Sequence, residues 1–211
     1  MPGQVRLGVI GLGNIGQAHI KLIQQQRVSR LELAAVSSRT ASEDFGVPHF
    51  TNYRDLLSSD LVDAVLVATP TMLHPEMAEH ASAAGLHLLM EKPLAMSVGQ
   101  AQQMLDGAKP EQKFAVMLNQ RFHPHYQKMK AVIDSGAIGR VLRVAWMMTA
   151  WSRPNVYYEV SAWRGTWAGE GGGLLINQCI HNLDVLQWLV GLPDSVSAMV
   201  GFGKYHDIAV E

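Results

Sequence analysis

The chain has 211 residues, 48% hydrophobic and 17% charged, and a formal net charge of −1, which is enough apolar material for one large domain or two small ones. Lys and Arg are scattered rather than gathered into a basic stripe, which argues against a nucleic-acid partner, and no apolar run approaches the length of a membrane span. The lone cysteine, Cys179, leaves no internal disulfide, and Met1-Pro2-Gly3-Gln4 runs straight into an apolar segment without a leader; the expectation is a cytoplasmic protein.

Val5 to Ile10 reads as a strand and Ile15 to about Gln25 as a helix, with Gly11-Leu12-Gly13-Asn14-Ile15-Gly16 between them. Strand, glycine turn and helix together form the context of a dinucleotide site. Gly11 permits the tight turn, Gly13 lets the backbone approach a pyrophosphate, and Gly16 lets helix and strand pack closely. The phosphates are expected on the N–H groups at the helix start, so NAD or NADP is the expected cofactor.

Leu31 to Val36 is a second strand, and its end meets the adenosine ribose in this kind of fold. Here the chain reads Ser37-Ser38-Arg39-Thr40 without a carboxylate, which suits a 2′-phosphate and so favours NADP over NAD. The alternative is a plain polar turn, with Glu43 and Asp44 close by. Ala41 to Pro48 reads as a turn or helical stub, followed by a short strand around His49 to Thr51. The alternation then continues with a helix at Tyr53 to Ser58, a strand at Asp63 to Ala68, a helix at Pro75 to Ala84 and a strand at His87 to Met90. Ser97 to Ala108 follows as a helix and Phe114 to Leu118 as a strand. Apolar strands alternating with helices of this length predict a parallel, doubly wound sheet.

Ala68-Thr69-Pro70-Thr71 with His74, and Glu91-Lys92-Pro93, lie just past strand ends, where ligands bind in open α/β sheets. A lone Lys between Glu and Pro is poorly explained as surface solvation. His74, His80 and His87 each also admit a structural or solvated role.

The alternation stops near Asn119-Gln120-Arg121-Phe122-His123-Pro124. A helix from Pro124 to about Ser135, a long strand from Arg140 to Ser152, a glycine- and aromatic-rich loop from Arg153 to Gly173, a helix from Leu174 to Val190 and a strand from Ser195 to Phe202 suggest a second domain of the α+β kind. The expected division is 1–121 and 122–211.

GLGNIG, VATPTMLHPE, MEKPLA and GEGGGLLINQCIHNLDVLQWLVG cover nearly the whole chain, and in this order they resemble the Gfo/Idh/MocA family of sugar-type oxidoreductases. The resemblance implies a Rossmann domain followed by a domain with a large, open, mostly antiparallel sheet. It implies reversible oxidation of a sugar, cyclitol or nucleotide-sugar hydroxyl with NAD(P). It places a conserved Lys on Lys92 and a catalytic His on His181, a general base with a group that holds and polarises the reacting oxygen. Asn177 stands where many relatives have Asp; it can orient a hydroxyl or the imidazole but cannot stabilise an imidazolium by charge. Asp184 could orient the His181 ring, or it could cap or pair locally, and no third ligand accompanies these two for a metal. Expected cofactor contacts are Gly11, Gly13, Asn14, Ile15, Ser37, Ser38, Arg39, Ala68, Thr69, Pro70, His74, Glu91, Lys92, Pro93 and Asn119. Arg121, Trp163, Arg164, Asn177 and His181 are the expected substrate contacts, and His123, Trp151, Arg153 and Tyr158 flank the same expected pocket. A non-catalytic nucleotide-binding module of the same superfamily is the competing reading. The expected partners are a small sugar-like molecule and further copies of the chain through the second-domain sheet. Relatives continue past the point matching Glu211, and Lys204 to Glu211 looks like the start of another strand, so the chain is expected to be part of a longer protein.

Overall fold

The computed structural model describes residues 3–40, 43–149, 153–160, 162–201 and 206–210. The chain divides into two compact units, one ending at Met117 and the other starting at Leu118. None of the helices among the described residues is long and apolar enough to cross a membrane.

The first unit is a six-stranded sheet built from β1 (Val5–Ile10), β2 (Leu31–Ser37), β3 (His49–Phe50), β4 (Ala64–Val67), β5 (His87–Met90) and β6 (Phe114–Val116). The order is β3-β2-β1-β4-β5-β6, and every pair is parallel. Successive strand residues point to opposite faces, so the two faces gather different side chains. Leu7, Val9, Val36 and Leu66 pack with Leu12, Ile20 and Ile23 of the region around α1 (Asn14–Gln24). Ile10, Ala35, Val65, Val67, Leu88 and Met90 pack on the other face with Leu56 and Leu57 of α2 (Tyr53–Leu57), Met77, Ala78 and Ala81 of α3 (His74–Ala83), and Met104 of α4 (Val98–Asp106). Burial on both faces is why these strands read as near-continuous apolar runs. At about 1.5–3 kcal/mol per large buried side chain, these two layers dominate the unit's stability.

Local signals set the helix starts. The Asn52 side chain accepts the Arg54 N–H at the head of α2, Ser97 accepts the Gln100 N–H at the head of α4, and Pro75 occupies the first turn of α3. Residues 43–48 contain a turn, not a helix, with the Asp44 carboxylate accepting the Gly46 N–H at 2.8 Å.

The second unit departs from expectation in three ways. It contains α5 (Pro124–Asp134), α6 (Asn155–Glu159), α7 (Trp167–Glu170), α8 (Gly173–Asn177) and α9 (Ile180–Val190), so the loop expected over 153–173 carries two short helices. The helix expected from Leu174 to Val190 is two helices. The N–H groups of Gln178 and Cys179 both reach the Leu174 carbonyl, at 3.0 and 2.8 Å, a widened turn that breaks the 3.6-residue register. The antiparallel sheet is also not seen among the described residues, where 141–149 and 195–201 carry no strand. A strand exists through the ladder it shares with a neighbour, and no described segment of this unit supplies one. Leu142, Met147, Val196 and Met199 accordingly stand exposed. Of the strand expected from Lys204, residues 204, 205 and 211 lie outside the described residues.

Candidate functional site

In the first unit the carboxyl ends of β1 and β4 lie side by side, where the strand order reverses. Ligands of open parallel sheets bind at this switch point. Three glycines there have three different physical reasons. Gly11 turns out of β1 at φ +97°, and a Cβ on it would stand 2.6 Å from the Ala68 carbonyl oxygen. A Cβ on Gly16 would stand 1.9 Å from the Gly11 oxygen, whereas one on Gly13 would meet nothing within 4 Å. The fold therefore requires Gly11 and Gly16, while Gly13 leaves open space in front of a helix start.

That helix start suits an anion. No side chain caps α1, its first turn carries no acid, and the first backbone bond into the helix is Gln17 N–H to Gly13 O at 3.0 Å. Asn14, Ile15 and Gly16 thus present N–H groups ahead of the helical ladder, beside exposed Gly13, Asn14 and Ile15. A dinucleotide pyrophosphate fits this cradle by both shape and charge.

The loops after β4 and β5 are joined by His74. Its ring is 1% exposed, with Nε2 at 3.0 Å from the Thr69 oxygen and Nδ1 at 2.9 Å from the Pro93 oxygen. Both ring nitrogens face protein carbonyls, so His74 fixes the cofactor-side loops rather than presenting itself to a ligand. Burial holds its pKa below the ordinary imidazole range, against the pull of the carbonyls of Thr69, Pro93 and Leu94. Glu91 begins the second loop. Its Oε1 lies 2.8 Å from His19 Nε2 on α1, and its Oε2 accepts the Lys92 N–H at 3.1 Å. His19 went unnoticed in the sequence; its signal was the spacing of three from Gly16, which puts both on one helix face.

At the end of β2, Ser37 is buried and its carbonyl accepts the Gly11 N–H at 2.9 Å. The Ser38 hydroxyl donates to the Thr40 oxygen at 2.5 Å and lies 3.0 Å from His49 Nε2. A hydroxyl has one hydrogen, so His49 must be the donor in the second contact. Ser38 is left able to accept a hydrogen bond but not to give one. Arg39 is exposed.

The second unit holds the other expected residues. Asn119 and Arg121 lie on a 3₁₀ turn, Asn119–Phe122. The Arg121 guanidinium forks onto Asp184, Nε to Oδ2 at 2.8 Å and Nη2 to Oδ1 at 2.5 Å, which raises its pKa. The partner observed for Asp184 is thus neither local nor one named from the sequence, since Arg121 lies 63 residues away. Arg164 stacks over Tyr157 at 4.1 Å and over Trp163 at 5.2 Å, and Arg153 lies over the same Tyr157 ring at 4.4 Å. Trp151 lies outside the described residues.

Asn177 ends α8 and donates from Nδ2 to Glu170 Oε1 at 2.5 Å. Glu170, 5% exposed, also accepts the Gly165 N–H at 3.0 Å, so this carboxylate, missed in the sequence, holds both Asn177 and the loop before α7. His181 sits in the first turn of α9. The break between α8 and α9 means that Asn177 and His181 are not one turn apart on a continuous helix. A cleft within this unit is lined by Arg153, Tyr157, Tyr158, Glu170, Asn177 and Gln178.

Comparison with known proteins accords with these features. Residues 5–120 match the profile of an oxidoreductase family with an NAD-binding Rossmann fold, and residues 126–211 match the GFO/IDH/MocA C-terminal domain. Inositol 2-dehydrogenase of Corynebacterium glutamicum is 30% identical over 99% of this chain and 60% of its own length. Among solved structures, the WlbA dehydrogenase from Bordetella pertussis, in complex with NADH and UDP-GlcNAcA, superposes with a TM-score of 0.86 at 30% identity, covering 100% of this chain and 64% of that one. Scyllo-inositol dehydrogenase from Lactobacillus casei, with NAD(H) and scyllo-inositol bound, gives 0.70 at 25% identity, covering 89% and 56%. The chain thus spans less than two thirds of the length of these relatives. With both family profiles matched in order along it, the chain belongs to the GFO/IDH/MocA oxidoreductase family.

Proposed function

We propose that the chain carries the cofactor site and the acid–base residues of an NAD-dependent dehydrogenase acting on a CH–OH group of a sugar, cyclitol or nucleotide sugar. The observation that carries this reading is the open space at Gly13 before the uncapped start of α1. The relatives' bound ligands, a nucleotide sugar in one case and a cyclitol in another, support the substrate class.

When bound, the nicotinamide supplies the hydride acceptor. The N–H groups of Asn14, Ile15 and Gly16 would hold the pyrophosphate, and the loops from Ala68 to Pro70 and from Glu91 to Pro93 would flank the nicotinamide half. Lys92 would hold and polarise the reacting oxygen through its ammonium. His181 would take the hydroxyl proton on an imidazole nitrogen as the carbon gives up hydride. Asn177 would orient the substrate hydroxyl, with Glu170 fixing its amide. Arg121 is spent on Asp184, so its part is to brace the 3₁₀ turn that bears Asn119.

The NADP preference drawn from Ser37, Ser38 and Arg39 gains no support. Ser37 is buried and Ser38 has no hydrogen left to give a phosphate oxygen, and both liganded relatives described above carry NAD(H). We therefore assign NAD, with Ser38 accepting from a ribose hydroxyl. Association of copies belongs to the same proposal, supported by the exposed Leu142, Met147, Val196 and Met199.

The test is NAD reduction followed by absorbance across a panel of cyclitols, sugars and nucleotide sugars. Turnover with one class is the expected result. Tight NADH binding with no turnover on any member would instead support a non-catalytic nucleotide-binding module.

A further inference from the structure

Resting on the reading of Lys92 as the group that holds the reacting oxygen, we propose that His19 is a positioning residue that sets Lys92 through the Glu91 carboxylate and ties it to the phosphate-binding helix. The Glu91–Lys92 peptide leaves β5 with its path fixed on several sides. The Glu91 N–H donates to the Val67 oxygen at 2.9 Å, and the Lys92 N–H donates to Glu91 Oε2 at 3.1 Å. The second carboxylate oxygen, Oε1, is held by His19 at 2.8 Å, with the two side chains only 18% and 13% exposed. On the far side, His74 holds the Pro93 carbonyl.

A carboxylate one residue before the lysine could adopt several rotamers. Only an orientation with one oxygen on the Lys92 N–H and the other toward α1 satisfies both donors. His19 selects that orientation, because an ionised carboxylate offers acceptors alone and the imidazole Nε2 supplies the donor. A charge-assisted contact largely removed from water is strong enough to hold a rotamer. The residue it comes from lies on the helix whose first turn faces the proposed pyrophosphate, so the cofactor's seat and the Lys92 peptide share one rigid connection. Removing His19 would free Glu91 to swing and let the Lys92 backbone follow, and displacements near 1 Å at a reacting group cost roughly 10²-fold in rate.

The experiment uses the full chain as His19→Ala, His19→Gln and Glu91→Gln, with thermal melting as the check on folding. Lys92 acetylation by N-hydroxysuccinimidyl acetate is measured by mass spectrometry with and without NADH, with Lys109 and Lys128 as internal references. In the wild type, NADH should slow acetylation at Lys92 alone. In His19→Ala the rate at Lys92 without NADH should change several-fold and NADH protection should fall about tenfold. His19→Gln should restore both, because its amide donates to the same oxygen. Glu91→Gln should fall between the wild type and His19→Ala, since its oxygen can accept the Lys92 N–H and its amide can donate to Nε2 of the other imidazole tautomer, but without the charge that strengthens the contact. With a confirmed substrate, kcat should fall roughly ten- to a hundredfold in His19→Ala while KM for NAD moves little. Lys92 acetylation unchanged from wild type in folded His19→Ala and Glu91→Gln would overturn the proposal. If the wild type shows no NADH protection at Lys92, the cofactor reading fails, and the rates without NADH still decide whether His19 sets Lys92.

Discussion

Two neighbouring glycines separate what the fold needs from what the ligand needs. In Gly16→Ala the new Cβ would lie 1.9 Å from the Gly11 oxygen, far inside the 3.4 Å at which ordinary contact begins. That oxygen belongs to the turn backbone, so relief requires moving the turn itself against the Ala68 loop. Overpacking of this kind costs about 3 kcal/mol, which for a chain of this size lowers Tm by about 6–12 °C. In Gly13→Ala the new Cβ meets nothing within 4 Å, and φ −72°, ψ −176° is extended backbone that alanine adopts freely. The folding cost is a poorer helix cap, about 0.5–1 kcal/mol, or roughly 1–4 °C. Where a pyrophosphate must approach this backbone, however, the methyl group holds it away from the N–H donors. Weakening one charge-assisted hydrogen bond of about 1.5–3 kcal/mol lowers affinity roughly ten- to a hundredfold. Melting curves and NADH fluorescence titrations on both variants provide the check. NADH binding at wild-type strength in Gly13→Ala would refute the assignment of this cradle, and equal melting losses in the two variants would refute the reading of the glycines.

His181→Ala and Lys92→Ala should each reduce turnover by about 10² to 10⁴ with a confirmed substrate, and His181→Ala should keep its NADH affinity; wild-type turnover in either variant would remove that residue from the chemistry. NAD should bind more tightly than NADP in parallel titrations, and Ser38→Ala should weaken NAD modestly; a preference for NADP would show that Arg39 grips a 2′-phosphate after all. Burial depresses the His74 pKa in the folded protein, so the unfolded chain takes up the proton first. The stability this imidazole contributes is complete above about pH 6.5 and declines as pH falls below it toward the folded value. Urea midpoints at pH 7 and pH 5 should therefore differ less in His74→Asn than in the wild type, and an unchanged difference would show that His74 is not the group that titrates.

Much of the first unit was legible because its information is local. Apolar runs marked β1, β2, β4 and β5 to within a residue or so, and Pro75 marked the start of α3 through its fixed φ. The second unit was less legible because its information is not local. Alternation over 140–152 and 195–202 says that a segment suits a ladder, not that a partner is present to complete one. The split of α8 from α9 arises from two N–H groups sharing the Leu174 carbonyl, which no residue preference in that stretch signals. The glycines and Lys92 stood out by motif, yet His19 and Glu170 did not. Each is defined by a contact to another part of the chain, across 72 residues for His19 and Glu91 and across a helix break for Glu170 and Asn177.

Both apolar layers of the sheet draw their buried residues from Leu7 to Met104 alone. Among the described residues, these two layers include no buried side chain after Met104. Selection on one half is then largely decoupled from selection on the other. Substitutions in the cleft around Tyr157 and Gln178 touch neither of these layers. The packing of each unit can therefore be redesigned in the laboratory as a separate search.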